Sequence, residues 1–262
     1  MNTSRVPVIA GNWKMNTTLA DAHVLASGVR DGAEHIERIE IVMCPPTIWL
    51  TEMAQIVPKG KLPHLSLGAQ NMYFEESGAF TGETSPLMVK EVAEYVIIGH
   101  SERVHTFHER PTLLADKLEA ALNNGLIPIL CVGEDEQSAT SKNEVAAQLE
   151  KIIADLSDEQ KAQIIVAYEP VWAIGTGKAA TPEYAQEVMA ALRAKLPDSV
   201  RILYGGSAND ENARGFLELK DCDGLLPGSA SLKLKAFVTM CQIADDMAHT
   251  HGHTSKHHSP TS

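Results

Sequence analysis

The sequence alternates eight times between a short apolar run rich in β-branched residues and a longer amphipathic stretch. The short runs predict buried strands, and the longer stretches predict helices that cover them. Strict alternation of strand and helix favours a parallel sheet built from βα units. Strands are predicted at residues 6–11, 39–44, 65–70, 95–99, 127–131, 164–168, 201–204 and 224–226.

Local signals support several of the predicted helix ends. Thr181 and Pro182 are typical of the N-cap and the first position of a helix, and Asn124 followed by Gly125 is typical of a helix end. Eight βα units without a linker predict an α/β fold with one domain, a closed (β/α)8 barrel of residues 1–248. Periodicity alone also fits an open doubly wound sheet. The clearest helices are predicted at residues 19–29, 113–123, 145–156, 182–196 and 236–247.

Length and charge narrow the classes of function. A chain of 262 residues with 44% hydrophobic residues can bury one large core. The formal net charge of -12 opposes binding to nucleic acid or to anionic membrane surfaces, because such proteins usually present a basic face. A small anionic substrate is still compatible with this charge, since a pocket can be locally positive.

Cysteine spacing and hydropathy predict a soluble, cytoplasmic protein. Cys44, Cys131, Cys222 and Cys241 are far apart and form no C-x-x-C pair, which argues against zinc binding and a disulfide framework. The apolar run at residues 6–10 is too short for a signal peptide, and no window approaches the roughly 20 apolar residues of a membrane span.

Residues 249–262 form a tail unlike the rest of the chain. The tail holds five histidines and one lysine among Ser, Thr, Gly and Pro residues. This composition predicts disorder. The His-x-His-x-His spacing could bind a metal weakly, but an extended tail has no preorganised geometry, so we favour a disordered tail.

Polar residues follow most of the predicted strands. In a parallel barrel these positions converge on one mouth, where catalytic residues lie. They include a cation, an imidazole, a carboxylate and two small-residue turns, a set that suits proton transfer on a phosphorylated substrate. The residues are Asn12, Lys14, Gln70, Asn71, His100, Glu102, Glu169, Gly205, Gly206, Ser207, Gly228 and Ser229.

The two small-residue turns predict a phosphate site. Gly205-Gly206-Ser207 and Gly228-Ser229 follow neighbouring strands, and residues without bulky side chains let backbone N–H groups approach phosphate oxygens. Each turn taken singly fits a simple tight turn. Their pairing at the ends of strands seven and eight favours phosphate binding.

His100 and Glu169 are the candidate proton-transfer groups. His100 precedes what reads as the first turn of a helix, where positive backbone amides keep an imidazole neutral and able to polarise a carbonyl. A lone histidine of this kind is more often structural. Glu169 precedes an apolar segment with glycines near its end, which is typical of a closing lid that makes a carboxylate more basic. The alternative for Glu169 is a surface carboxylate.

Two other site types are rejected. The segment Gly175-Thr176-Gly177-Lys178 is not a nucleotide-binding P-loop, because Trp172 stands at the first glycine position and Ala179 replaces the required Ser or Thr. His100, His105 and His108 lack an accompanying carboxylate pattern, so solvated histidines are favoured over a metal site.

Five motifs lie at the ends of the predicted strands, in chain order. They are Gly11-Asn12-Trp13-Lys14-Met15-Asn16, Gly68-Ala69-Gln70-Asn71, Ile98-Gly99-His100-Ser101-Glu102-Arg103, Tyr168-Glu169-Pro170-Val171-Trp172-Ala173-Ile174-Gly175-Thr176-Gly177-Lys178 and Tyr204-Gly205-Gly206-Ser207. Together they resemble the triosephosphate isomerase family, over residues 6–247. This likeness implies a TIM barrel that interconverts dihydroxyacetone phosphate and glyceraldehyde 3-phosphate without cofactor or metal.

The resemblance also implies roles for single residues. Glu169 would be the base, His100 the electrophile, and Lys14 the stabiliser of developing negative charge, held by Glu102. Asn12 and Lys14 would contact the substrate. Amides near Gly175, Ser207, Gly228 and Ser229 would hold the phosphate.

The family likeness further implies a homodimer, through the protruding loop from Glu75 to Glu83. Three residues depart from the family pattern: Val104 replaces an arginine, Pro227 a valine and Ser229 a glycine. Proline has no N–H, so the phosphate contacts are expected to adjust locally. Two alternatives stay open, an isomerase of a four-carbon ketose phosphate and a non-catalytic barrel that binds sugar phosphates.

Overall fold

The chain folds into a closed barrel of parallel strands, in which each strand pairs with the next in chain order and the eighth pairs with the first. The computed structural model describes residues 5–174 and 179–254. Closure confirms the barrel and excludes the open sheet. The strands are β1 (Val8–Asn12), β2 (Glu40–Cys44), β3 (Leu65–Ala69), β4 (Tyr95–Ile98), β5 (Ile127–Val132), β6 (Ile165–Tyr168), β7 (Arg201–Tyr204) and β8 (Gly224–Leu225).

Helices follow the strands and surround the barrel. Short 3-10 turns at Thr47–Trp49, Val171–Ala173 and Ser229–Leu232 shape three of the loops. The helices are α1 (Leu19–Gly32), α2 (Leu50–Ile56), α3 (Pro86–Val92), α4 (Ser101–Phe107), α5 (Pro111–Asn123), α6 (Ser141–Ile152), α7 (Asp158–Lys161), α8 (Pro182–Arg193), α9 (Ala213–Leu217) and α10 (Leu234–Thr254).

The core has two layers that follow from strand alternation. One set of strand side chains, including Val42, Ile97 and Leu203, fills the inside of the barrel. The opposite set, including Ile41 and Val166, packs outward against the helices. All strands run in one direction, so their C-terminal ends open on a single mouth.

The last helix extends further than the sequence predicts. Helix α10 continues to Thr254, past the expected boundary at residue 248, because an established helix gains one backbone hydrogen bond with each added residue. Residues 255–262 of the expected tail lie outside the described residues. No helix in the described part of the chain combines the length and apolar character needed to cross a bilayer.

A buried carboxylate ties the N-terminal end of the barrel together. Asp223 is 1% exposed and pairs with Arg5 at 2.7 Å and with Arg193 at 2.6 Å. Asp223 Oδ2 also accepts from the backbone N–H of Ile202 at 3.0 Å. The cluster thus joins the start of the chain, α8 and the last two strands.

Asp223→Ala should lower the free energy of unfolding by about 3–5 kcal/mol, because Arg5 loses its buried carboxylate partner and Arg193 keeps only a longer contact with Asp221 at 3.6 Å. Urea denaturation followed by circular dichroism measures this loss. The control is Asp31→Ala, which breaks the exposed Arg30–Asp31 pair and should change stability little. Equal losses in the two variants would contradict the structural role of Asp223.

Candidate active site

A cavity of about 450 Å³ opens at the C-terminal mouth of the barrel. Predicted residues from four strand ends line it: Asn12 and Lys14 after β1, His100 after β4, Ser207 after β7 and the Gly228-Ser229 turn after β8. These positions are distant in the sequence. The structure therefore brings the predicted site residues together, except Gly175, which lies outside the described residues.

His100 caps the N-terminus of α4 and points its ring at Glu169. Its Nδ1 accepts a hydrogen bond from the backbone N–H of Glu102 at 3.2 Å. An accepting Nδ1 carries no proton, so this bond assigns the ring proton of the neutral imidazole to Nε2. Nε2 lies 3.1 Å from Oε1 of Glu169. The ring thus presents an N–H donor at the site.

Glu169 is almost fully buried, with 2% of its surface exposed. Its Oε2 accepts from the backbone N–H of Ser101 at 2.9 Å. The contact of Oε1 with His100 is close but lacks hydrogen-bond geometry, so Oε1 has no hydrogen-bond partner among the described residues. One carboxylate oxygen is therefore anchored, and the other can accept a proton.

Cys131 lies beside this carboxylate. Burial, and then the charge of Glu169, raises the pKa of the Cys131 thiol well above its usual range. The thiol therefore stays protonated and does not add a second negative charge next to Glu169. All four cysteines are buried and unpaired.

Lys14 supplies positive charge from a strained backbone position. Its φ of 54° lies in the left-handed region, which costs about 1–3 kcal/mol for a residue other than glycine. Asn12 Oδ1 accepts from the Lys14 N–H at 3.0 Å, and Gln70 Nε2 donates to the Lys14 carbonyl at 2.8 Å. Glu102 Oε1 accepts from Lys14 Nζ at 2.6 Å, which confirms the predicted pairing.

The two small-residue turns both lie at the mouth of the barrel. Ser229 begins a 3-10 turn after Gly228, and a Cβ on Gly228 would lie 3.0 Å from Cε of Lys14. The other turn also supports the Glu169 segment, because the Ser207 hydroxyl donates to the carbonyl of Ala173 at 2.7 Å. Both turns line the cavity that Lys14 enters.

Gly205→Ala should lower kcat by about 10- to 100-fold, because it displaces Glu169, the candidate base, and small displacements of a catalytic group are costly. A Cβ at Gly205 would stand 2.9 Å from Cγ of Glu169 and 3.2 Å from the Tyr168 carbonyl, so the carboxylate must move. Steady-state kinetics measures the effect. The control is Gly215→Ala in α9, where the nearest contact is 3.9 Å away and kcat should not change. Full activity of Gly205→Ala would contradict a tightly positioned Glu169.

Sequence reasoning missed two groups that shape the site. One is the backbone N–H of Ser101, which holds Glu169. The other is Glu134, a buried carboxylate that accepts hydrogen bonds from Tyr168 and Trp172 on either side of Glu169. Its position directly after the fifth strand is the signal that could have found it, since the rule that selected His100 applies there too.

The three histidines considered for a metal do not converge. His100 caps α4, His105 contacts Asp135 at 3.0 Å, and His108 is the left-handed residue that ends α4. Within residues 5–174 and 179–254, no group of three or more potential metal ligands is brought together.

A second cavity of about 420 Å³ adjoins the first and shares Asn12, Lys14 and His100 with it. Part of its wall comes from the end of the predicted protruding loop, at Gly82 and Glu83. The loop and the mouth of the barrel are thus contiguous on one face.

Comparisons with known proteins agree with this geometry. The family model described as triosephosphate isomerase matches residues 7–244. The triosephosphate isomerase of Dehalococcoides mccartyi (strain CBDB1) is 43% identical over 255 residues, which cover 93% of this chain and 98% of that protein. The match to the family model spans all eight strands and every described residue of the site. The chain therefore belongs to the triosephosphate isomerase family.

Proposed function

We propose that Glu169 is the base and His100 the electrophile of an isomerisation that interconverts dihydroxyacetone phosphate and glyceraldehyde 3-phosphate. As a member of its family, the chain is an isomerase of a phosphorylated triose. The observation that carries the residue roles is the 3.1 Å approach of His100 Nε2 to Glu169 Oε1. This contact lies at the mouth of the barrel, where Lys14 also lies.

The reaction begins with removal of a proton from C1 of the ketose. Glu169 Oε1 takes the proton, the C–H electrons form a C1–C2 double bond, and the carbonyl electrons move to oxygen. The N–H of His100 donates to that oxygen, and the charge of Lys14 stabilises the enediolate as it forms. Return of the proton to C2, with proton exchange between the two oxygens, yields the aldose.

The burial of the Glu169 carboxylate and its single hydrogen bond among the described residues support the role of base. A carboxylate in a dry site accepts a proton from carbon more readily than one in water, where many hydrogen bonds stabilise its charge. The hydrogen bond that Nδ1 of His100 accepts supports the role of electrophile, since it leaves the ring N–H on Nε2, where it can donate to the substrate.

The phosphate dianion is proposed to bind between the two small-residue turns. Backbone amides near Ser207, Gly228 and Ser229 would contact its oxygens, with Gly175 as a further donor. Lys14 adds charge complementarity from beside the Gly228-Ser229 turn, since a Cβ on Gly228 would lie 3.0 Å from its Cε. Pro227, which has no N–H, precedes the Gly228-Ser229 turn. Its carbonyl accepts a hydrogen bond from the N–H of Asn12 at 2.9 Å, and this bond supports the turn.

Turnover of the intact protein tests this function. We expect isomerisation of the triose phosphates, with kcat/KM at least tenfold lower for a four-carbon ketose phosphate. A preference for the longer substrate would support the paralogue. A protein that binds inorganic phosphate but isomerises neither substrate would be a binding barrel.

The loop from Glu75 to Glu83 is proposed to form a homodimer. The loop stands beside the second cavity, whose rim exposes Met15 and Phe107 to solvent. Light scattering at micromolar concentration should give twice the mass of the chain. Phe107→Asp should yield monomers, whereas Val24→Asp, at a similarly exposed site on α1, should not. A wild-type monomer would refute the dimer.

We place the protein in the cytoplasm. The support is its four buried free thiols, which fit a reducing compartment.

A further inference from the structure

The carboxylate of Glu134 lies behind the segment that carries Glu169. Its Oε1 accepts three hydrogen bonds, from the hydroxyl of Tyr168 at 2.9 Å, the indole N–H of Trp172 at 2.9 Å and the hydroxyl of Tyr184 at 3.0 Å. The backbone carbonyl of Glu134 accepts a fourth, from the N–H of Val171 at 3.0 Å. Glu134 therefore holds the chain on both sides of Glu169.

Tyr184 differs from the other two donors because it lies outside that segment. It stands in the first turn of α8, where its N–H donates to the N-cap side chain of Thr181 at 3.3 Å. Its ring also packs edge-on against Trp172, with centroids 5.9 Å apart and planes at 70°. Tyr184 thus connects a regular helix to the turn that follows Glu169.

The two carboxylate oxygens of Glu134 differ in the number of hydrogen bonds they accept. Oε2 of this buried side chain has no hydrogen-bond partner among the described residues. The three donors to Oε1 must therefore offset the free-energy cost of removing the Glu134 carboxylate from water. Burial raises the pKa of the Tyr184 phenol, so the hydroxyl is protonated and can donate at neutral pH. Loss of one donor would let the carboxylate turn.

We propose that Tyr184 is a positioning residue for the isomerisation, acting through Glu134 and Trp172 on the placement of Glu169. This inference rests on the proposed role of Glu169 as the base. Tyr184 has no contact with the reacting atoms in this scheme. Its hydroxyl fixes the orientation of the Glu134 carboxylate, and its ring fixes the plane of the indole.

The test is Tyr184→Phe, which keeps the ring and removes only the hydroxyl. We expect kcat to fall about five- to tenfold, with KM within about twofold, because the base is displaced while the phosphate contacts stay. The control is Tyr95→Phe, which also removes a phenol-to-carboxylate bond, but at the other end of the barrel. There Glu40 keeps its ion pair with Arg201, and kcat should be unchanged.

A spectroscopic readout separates positioning from a general loss of stability. With 5-fluorotryptophan in place of tryptophan, the ¹⁹F resonance of Trp172, assigned from Trp172→Phe, should shift in Tyr184→Phe and not in Tyr95→Phe. In a Glu134→Leu background, Tyr184→Phe should cause no further loss of kcat, since the shared partner is gone.

Three results would overturn the inference: wild-type kcat in Tyr184→Phe, an unmoved Trp172 resonance, or the same loss of kcat with and without Glu134. Failure of the proposed function would look different. In that case Glu169→Asp itself would leave turnover intact, whatever Tyr184→Phe does.

Discussion

Glu169→Asp should lower kcat for triose phosphate isomerisation by about 100-fold while KM changes little. The shorter side chain pulls the carboxylate back by about one methylene, and misplacement of a catalytic group by about 1 Å costs on this order. Phosphate contacts are untouched, so ground-state binding should persist. Coupled steady-state assays in both directions measure the loss.

The control for this variant is Glu183→Asp, which makes the same change at an exposed carboxylate in the first turn of α8. Its kcat should match that of the wild type. A further variant, Glu169→Gln, removes the proposed base altogether and should reduce kcat by about 10⁴-fold. If Glu169→Asp retained full turnover, another group would have to be the base.

His100→Gln should lower kcat by about 10²- to 10³-fold, the usual cost of removing one donor to a developing oxyanion. The glutamine amide can still donate a hydrogen bond, but its side chain is not a rigid ring. In the wild type, the N–H of Glu102 donates to Nδ1 and so orients the imidazole. The substrate carbonyl would then be less polarised, and proton removal by Glu169 would be slower. Steady-state kinetics again measures the effect.

The matched control is His105→Gln, on the same helix but with its side chain 45% exposed. We expect that variant to keep kcat within about twofold. Exchange of the C1 proton with solvent in the absence of net turnover gives a second check on His100→Gln. Exchange at the wild-type rate would mean that His100 does not assist proton removal.

The geometry around Lys14 explains why a charge can be held in place before substrate arrives. A left-handed lysine is unfavourable by itself, and the side chains of Asn12 and Gln70 offset this cost through their bonds to the Lys14 backbone. Glu102 then fixes the direction of the ammonium group. Preorganised charge of this kind needs little rearrangement as negative charge develops on the substrate.

Much of the fold and several of the site residues could be predicted from the sequence. The eight strands were located to within a few residues, because apolar β-branched runs between turn residues are a local signal. Closure of a parallel barrel then requires all strand ends to meet at one mouth. That rule selected a list of twelve residues that includes Lys14, His100 and Glu169, and the structure places these three close together.

The tertiary structure alone decided how those groups are held. Ser101 N–H reaches Glu169 across 68 positions of the sequence, and Tyr184 reaches Glu134 across 50. Such bonds depend on strand register and side-chain direction to within about 1 Å, and no local pattern encodes that precision. The sequence by itself determined which chemical groups meet at the mouth, whereas their hydrogen-bond partners were decided by the packing of distant elements.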